Sequence, residues 1–227
     1  MKHFLELLEP EDEIFVLAFS DGTELVQVFT SDRRRLGDVL ESLATFGATA
    51  FNDAVIEGLS LLDSTPAESR GLVIVTDGVD TSSRSTFKAA LEAARRAGTP
   101  VYSIGLDHRG GIFSNSHGSF GRSVFDGRPL RKLSKETGGQ AVILRNFDHH
   151  QQKGIDRLKE ASESIALALR HRYVLGYQPP EDVEKRGWRK IRIEVNRRSM
   201  KVRAREGYYF DEPDPDPVLP SPPKTAY

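Results

Sequence analysis

The feature that most constrains this chain is an alternation. Short apolar runs with strand character are separated by longer stretches whose apolar residues recur at helical spacing. The runs are residues 13–20 (Ile14, Phe15, Val16, Leu17 and Phe19), 71–76 (Leu72, Val73, Ile74 and Val75), 101–106 and 141–144. Residues 24–30 form a further strand, joined to 13–20 by an Asp21-Gly22 hairpin turn. The spacing predicts helices over 32–43, 49–62, 85–97, 129–137 and 148–170. Ser31 or Asp32, Thr49 and Asp148 stand where helix caps belong. Gly98 and Gly138-Gly139 stand where helices end. A helix carrying Phe4, Leu5, Leu7 and Leu8 is stopped by Pro10.

Strands that are apolar throughout are buried on both faces. Strands that alternate with helices build a parallel sheet with helices on either side. The expected fold class is therefore α/β, a Rossmann-like, doubly wound and mostly parallel sheet. After Arg170 the pattern changes. Residues 173–178, 188–195 and 200–205 read as three strands of a small antiparallel appendage. The tail is acidic, and six of the chain's twelve prolines follow position 212, a composition that resists folding. The expected division is an α/β domain over 1–170, a β-rich extension over 171–210 and a disordered tail over 211–227.

Composition removes several classes of function. The chain has no cysteine, which excludes disulfides, thiol catalysis and thiolate-held metals. A hydrophobic content of 38% with 29% charged residues suits a globular core. No apolar run approaches the roughly 20 residues of a membrane span. The net charge of −1 gives no overall attraction to nucleic acid.

Ligands of doubly wound sheets bind beyond the carboxyl ends of the strands. Thr49 and Asp77 fall there, and a hydroxyl and a carboxylate at neighbouring strand ends suit a hard cation such as Mg²⁺. Four segments sharpen this reading. They are Asp12 to Ser20, Phe29-Thr30-Ser31-Asp32, Gly47 to Ala54, and Val73 to Thr81 with its Thr76-Asp77-Gly78. In order and spacing they resemble a von Willebrand factor A domain, over about residues 1–165. Tyr173-Val174-Leu175-Gly176-Tyr177 and Arg205-Glu206-Gly207-Tyr208-Tyr209 are similar to a bacterial subfamily of such domains with a β-rich extension. The resemblance implies a metal-ion-dependent adhesion site, an Mg²⁺ site completed by a carboxylate of a protein ligand, and a role in adhesion or assembly rather than catalysis. Thr49 and Asp77 match two of its ligand loops.

The third loop, Asp-x-Ser-x-Ser after the family's first strand, has no counterpart from Met1 onward. The resemblance therefore implies an incomplete site with weak or absent Mg²⁺ binding, and a chain truncated at its start. Secretion or a periplasmic address would then require a leader ahead of Met1. The family's sheet places the missing strand between residues 14–19 and 72–76. Either a slot about 10 Å wide remains there, or the sheet closes by pairing these two strands.

Plainer readings compete at each position. Thr49 alone reads as a helix cap and Asp77 as a turn residue. Asp53, Asp80 and Ser82 read as residues of helix starts and turns. Adjacent His149 and His150 do not share a helix face, and His108 and His117 sit with Gly110, Gly111, Gly118 and Gly121 in a loop over 107–127. Neither a phosphate-binding glycine pattern nor a nucleophile elbow is present. Two alternatives stay open: a metal-dependent enzyme using Asp77, and nucleic-acid binding by the appendage. Residues 185–205 hold ten Lys or Arg against Glu194 alone. Their alternation with Ile191, Ile193, Val195 and Val202 favours the solvated face of a strand, and the acidic tail is placed to screen that face.

Overall fold

The computed structural model describes residues 2–43, 47–67, 69–108, 112–114, 120–122, 125–173, 175–177, 187–197, 200 and 202–210. In chain order the elements are α1 (Lys2–Glu6), β1 (Ile14–Phe19), β2 (Thr23–Thr30), α2 (Arg33–Ser42), α3 (Phe51–Asp63), β3 (Leu72–Thr76), α4 (Phe87–Ala97), β4 (Val101–Asp107), β5 (Ile112–Ser114), β6 (Phe120–Arg122), α5 (Arg128–Thr137), β7 (Ala141–Arg145), α6 (Gln152–Arg170), β8 (Gly187–Lys190) and β9 (Gly207–Phe210). This is the α/β alternation expected.

The sheet is parallel in one half and a hairpin in the other. β3, β4 and β7 form a parallel ladder in that order. β1 and β2 pair antiparallel around the Asp21-Gly22 turn, with register shifts near Val16. Helices cover both faces. Phe51, Val55, Leu59 and Leu62 of α3, Leu91 of α4, and Leu130 and Leu133 of α5 pack on one side with Leu72 and Ile74. Phe4 of α1 and Ala161, Ile165 and Ala166 of α6 pack on the other with Tyr102 and Ile104.

β1 and β3 share no hydrogen-bond ladder, although they run in the same direction. Gly58 of α3 fixes the level of their starts. A Cβ there would lie 3.0 Å from Leu72 Cδ1 and 3.8 Å from Phe15 Cζ. The far ends also meet. The Ser20 carbonyl accepts from the Ala50 N–H at 2.7 Å and the Ser82 hydroxyl at 3.0 Å, and Ser82 follows β3. Between the strands lies a cleft of about 1850 Å³, bordered by β1, β3, α1 and α6. The sheet has stayed open along this line.

Helix ends follow local chemistry. Asp32 caps α2 by accepting from the Arg35 N–H at 3.0 Å, and Thr86 caps α4 by accepting from the Ala89 N–H. Gly138 ends α5 with φ of 79°, a left-handed conformation that a side chain would strain. Two expected caps are not caps. α3 begins after Ala50, with no side-chain cap, and the Thr49 backbone is tied instead to Thr81. α6 begins after Gln151, because the Asp148 carboxylate turns onto the His150 N–H at 2.9 Å.

The carboxy-terminal region differs from the expected three strands. β8 pairs antiparallel with β9, while residues 175–177 and 202–205 carry no strand. Aromatic packing selects this pairing. Trp188 and Tyr209 pack at 5.2 Å between ring centroids with their planes tilted by 58°, and Arg96 of α4 lies 4.1 Å over the Tyr209 ring. Residues 211–227 lie outside the described residues.

Candidate functional site

The carboxyl ends of β1 and β3 form one rim of the cleft. Thr49 is fastened there through its backbone. Its N–H donates to Thr81 Oγ1 at 2.8 Å, and its carbonyl accepts from the Thr81 N–H at 2.9 Å and the Ser82 N–H at 3.3 Å. The loop after β3 is thereby tied to the loop before α3. The Thr49 hydroxyl faces Gly78 so closely that a Cβ at Gly78 would stand 2.6 Å from Oγ1. Glycine is required there by that approach. Asp77 is the residue just before, at the end of β3, with its side chain 64% exposed. The structure thus brings Thr49 and Asp77, far apart in sequence, to the same rim.

His108, expected only as a loop residue, joins them. Its Nε2 lies 3.9 Å from Asp77 Oδ2, and its Nδ1 lies 3.1 Å from the Phe147 carbonyl. With Nδ1 donating to that carbonyl, Nε2 carries a hydrogen toward Asp77 only in the imidazolium form. Asp21 is also more than a turn residue, since its Oδ1 accepts from the Ala48 N–H at 3.0 Å. Nothing in the sequence spacing joins residue 21 to 48 or 77 to 108. Those pairs follow from the order of strands.

The neighbouring carboxylates are committed elsewhere. Asp53 accepts from the Arg84 N–H at 2.8 Å and the Ser85 N–H at 2.9 Å. The Ser85 side chain first, then the Arg84 N–H, hold its carboxyl below the usual carboxylate range. Asp80 Oδ1 accepts from the Ser83 hydroxyl and the Asn52 N–H. Both act as braces between α3 and the loop after β3, as their reading as turn residues implies. His149 and His150 lie against one another before α6, with ring centroids 3.8 Å apart and planes tilted by 43°. His117, Gly110, Gly111 and Gly118 lie outside the described residues.

A hydroxyl and a carboxylate are oxygen donors of the kind Mg²⁺ takes, and they leave most of an octahedron to water. Among the described residues no group of three or more His, Cys, Asp or Glu is placed to hold a metal ion. No helix among them is long and apolar enough to cross a membrane. The carboxy-terminal β pair meets cations from within and from the helices beside it. Arg189 sits 3.6 Å over Phe210, Arg95 of α4 sits 4.9 Å over Trp188, and Lys135 of α5 meets Glu206 at 2.7 Å.

In doubly wound sheets the strand-end rim is where ligands usually bind. No known family profile matches the chain. An uncharacterized protein of Borreliella burgdorferi is 28% identical over 141 residues, covering 56% of this chain and 40% of that protein. Solved structures are closer in shape. BatB of Bacteroides thetaiotaomicron, a conserved hypothetical protein, superposes with a TM-score of 0.54 at 17% identity, covering 73% of this chain and 84% of that one. A von Willebrand factor type A protein of Catenulispora acidiphila gives 0.56 at 16% identity, covering 73% of this chain and 36% of that one. The von Willebrand factor domain of the pilus tip protein Mfa5 of Porphyromonas gingivalis gives 0.54 at 10%, covering 77% and 88%. The fold of this chain is that of a von Willebrand factor type A domain.

Proposed function

We propose that this chain is a non-catalytic protein-interaction module of the von Willebrand factor A type, with an incomplete metal-ion-dependent adhesion site. Thr49 and Asp77 are its contributions to an Mg²⁺ shell, and a protein ligand offers a carboxylate to the same ion. The observation that supports this reading is the close approach of Thr49 Oγ1 to Gly78, the residue after Asp77, across two separate loops. Residues 1–227 contain no Asp-x-Ser-x-Ser motif, so the hydroxyls and carboxylate that such a loop supplies are not among its donors. The carboxy-terminal β pair on α4 belongs to the extension of a bacterial subfamily.

Calorimetry with Mg²⁺ tests this directly. The chain of residues 1–227 is expected to give weak or no heat of binding. A version extended upstream by the strand and its Asp-x-Ser-x-Ser loop is expected to bind, and to lose binding in Asp77→Ala. Equal binding by both versions would refute the incomplete site.

A further inference from the structure

The carboxy-terminal β pair extends into a longer hairpin, and the half of it near the turn is amphipathic. We propose that this half is a docking surface for an anionic lipid bilayer, with Ile193, Val195, Met200 and Val202 entering the headgroup layer. The proposal rests on the hairpin and not on the metal reading.

Backbone hydrogen bonds define the hairpin. β8 and β9 pair Lys190 with Gly207. One residue further along the same register, the Ile191 N–H donates to the Glu206 carbonyl at 3.0 Å. The Met200 N–H donates to the Arg197 carbonyl at 3.1 Å and closes the turn. The base is held on the domain. Tyr209 donates to Glu92, Trp188 lies under Arg95, and the Glu206 N–H donates to the Glu136 carbonyl at 3.1 Å. Toward the turn this support ends. Residues 192–197 are all exposed, so neither face of that arm is covered.

Alternation sorts the side chains. Trp188 and Tyr209 face α4, and Arg203 on the same side donates to Gln140 at 2.6 Å. Ile193, Val195 and Val202 therefore fall on the side turned away from the domain, where they are exposed together with Met200 at the turn. They form an apolar patch on the order of 300 Å², a size at which such patches are often functional. A two-stranded hairpin with one bare apolar face is marginal in water and gains from a cover.

Charge selects the cover. The exposed cations of the described hairpin are Lys190, Arg192, Arg197, Arg203 and Arg205. Its acids are committed, Glu194 to Arg192 at 2.7 Å and Glu206 to Lys135 at 2.7 Å. Asp211, Glu212, Asp214 and Asp216 follow Phe210 in sequence, and Phe210 lies roughly 30 Å along the arm from Met200, several screening lengths away. A second copy would set two such basic stretches against each other. Its apolar contact would also fall well short of the about 800 Å² per partner of a stable protein interface. An anionic bilayer satisfies both features. Apolar side chains enter the acyl boundary, while Lys and Arg, whose stems reach around the edge of a two-stranded hairpin, meet the charged headgroups. Arg205 lies beside Gly98 and Gly138, which close α4 and α5 just ahead of β4 and β7. The hairpin is thus rooted at the amino ends of the strands, opposite the rim of Thr49 and Asp77.

Vesicle sedimentation tests the proposal, with residues 1–227 in EDTA so that any metal at Thr49 and Asp77 plays no part. Vesicles of phosphatidylcholine and phosphatidylserine, about two to one, are expected to bind the chain at least about tenfold more tightly than phosphatidylcholine alone, and to release it at high salt. The double variant Ile193→Ser, Val195→Ser is expected to weaken binding about tenfold. Val28→Ser, at an exposed apolar position on β2, is expected to leave it unchanged. The chain has no cysteine, so Val195→Cys carries a single environment-sensitive fluorophore. Its emission is expected to shift to the blue with the mixed vesicles, while the same label on Val28→Cys stays constant. Absence of binding to the mixed vesicles would overturn the proposal, as would an unshifted label at position 195. Full binding by the double serine variant would mean adherence by charge alone and would overturn it as well. A dimer that the double serine variant dissociates, with no vesicle binding by the parent, would assign the face to a second copy, with the same consequence.

Discussion

β1 and β4 are near twins in sequence and opposites in environment. Ile14–Phe19 reads IFVLAF and Val101–Asp107 reads VYSIGLD, and each is mostly apolar. β4 is buried along its first five positions, whereas every residue of β1 is only half-buried. β4 lies between β3 and β7, while β1 has β2 on one side and the cleft on the other. The lesson is that apolar content sets the capacity for burial, and strand neighbours decide how much of it is used.

Substitution offers the largest test of that contrast. Ile104→Ala in β4, fully buried, is expected to destabilise by about 2–5 kcal/mol. Leu17→Ala in half-buried β1 is expected to cost less than about half of that. Urea unfolding of the two variants checks this, and equal losses would mean that β1 is as well packed as β4. Native-state hydrogen exchange sharpens the comparison amide by amide. Slot-facing amides of β1 are expected to exchange on the order of a hundredfold faster than those of β4, which open only with the whole domain.

A smaller effect is expected at the rim that joins the two halves. Asp53→Ala removes the acceptor for the Arg84 and Ser85 N–H groups and is expected to cost about 1–2 kcal/mol at neutral pH. The sign of its pH dependence follows from its lowered pKa. The contribution is fully present above the unfolded carboxylate value of about 4, and is lost as pH falls through the lowered folded value. Denaturant curves of the parent and Asp53→Ala should therefore run a constant distance apart near neutrality and converge in acid. Thr49→Ala is expected to change stability by no more than about 0.5 kcal/mol, because the backbone of Thr49 makes the bonds that tie the loops. The smallest effect concerns the tail. Deleting residues after Phe210 removes Asp211, Glu212, Asp214 and Asp216, and retention on heparin at low salt is expected to rise slightly. Unchanged retention would mean the tail does not screen the basic residues.

Much of the fold was legible because it is written in local chemistry. Asp21-Gly22 as a hairpin turn, Asp32 as a cap, and Gly98 and Gly138 as helix ends each depend on backbone preferences of a few residues. Where local chemistry competed, the reading slipped. Thr49 and Asp148 have cap chemistry, but the Asp148 carboxylate is taken by the His150 N–H and α3 starts at Phe51, behind Ala50 rather than Thr49. Residues 202–205 alternate as a strand should, yet β8 pairs with Tyr208, Tyr209 and Phe210 instead, because Trp188 and Arg96 give those rings a surface. At the candidate site, Thr49 and Asp77 could be singled out from their spacing, while His108 and Asp21 could not.

By itself the sequence determined which segments are strands and helices, which faces are apolar, and that a hydroxyl and a carboxylate sit at strand ends, since periodicity and turn chemistry act over a few residues. Only the tertiary structure decided that β1 and β3 stand parallel and unpaired across an open cleft, and that His108 comes to Asp77. Those are relations between segments far apart in the chain, set by how the helices on both faces hold the strands rather than by any residue's neighbours in sequence.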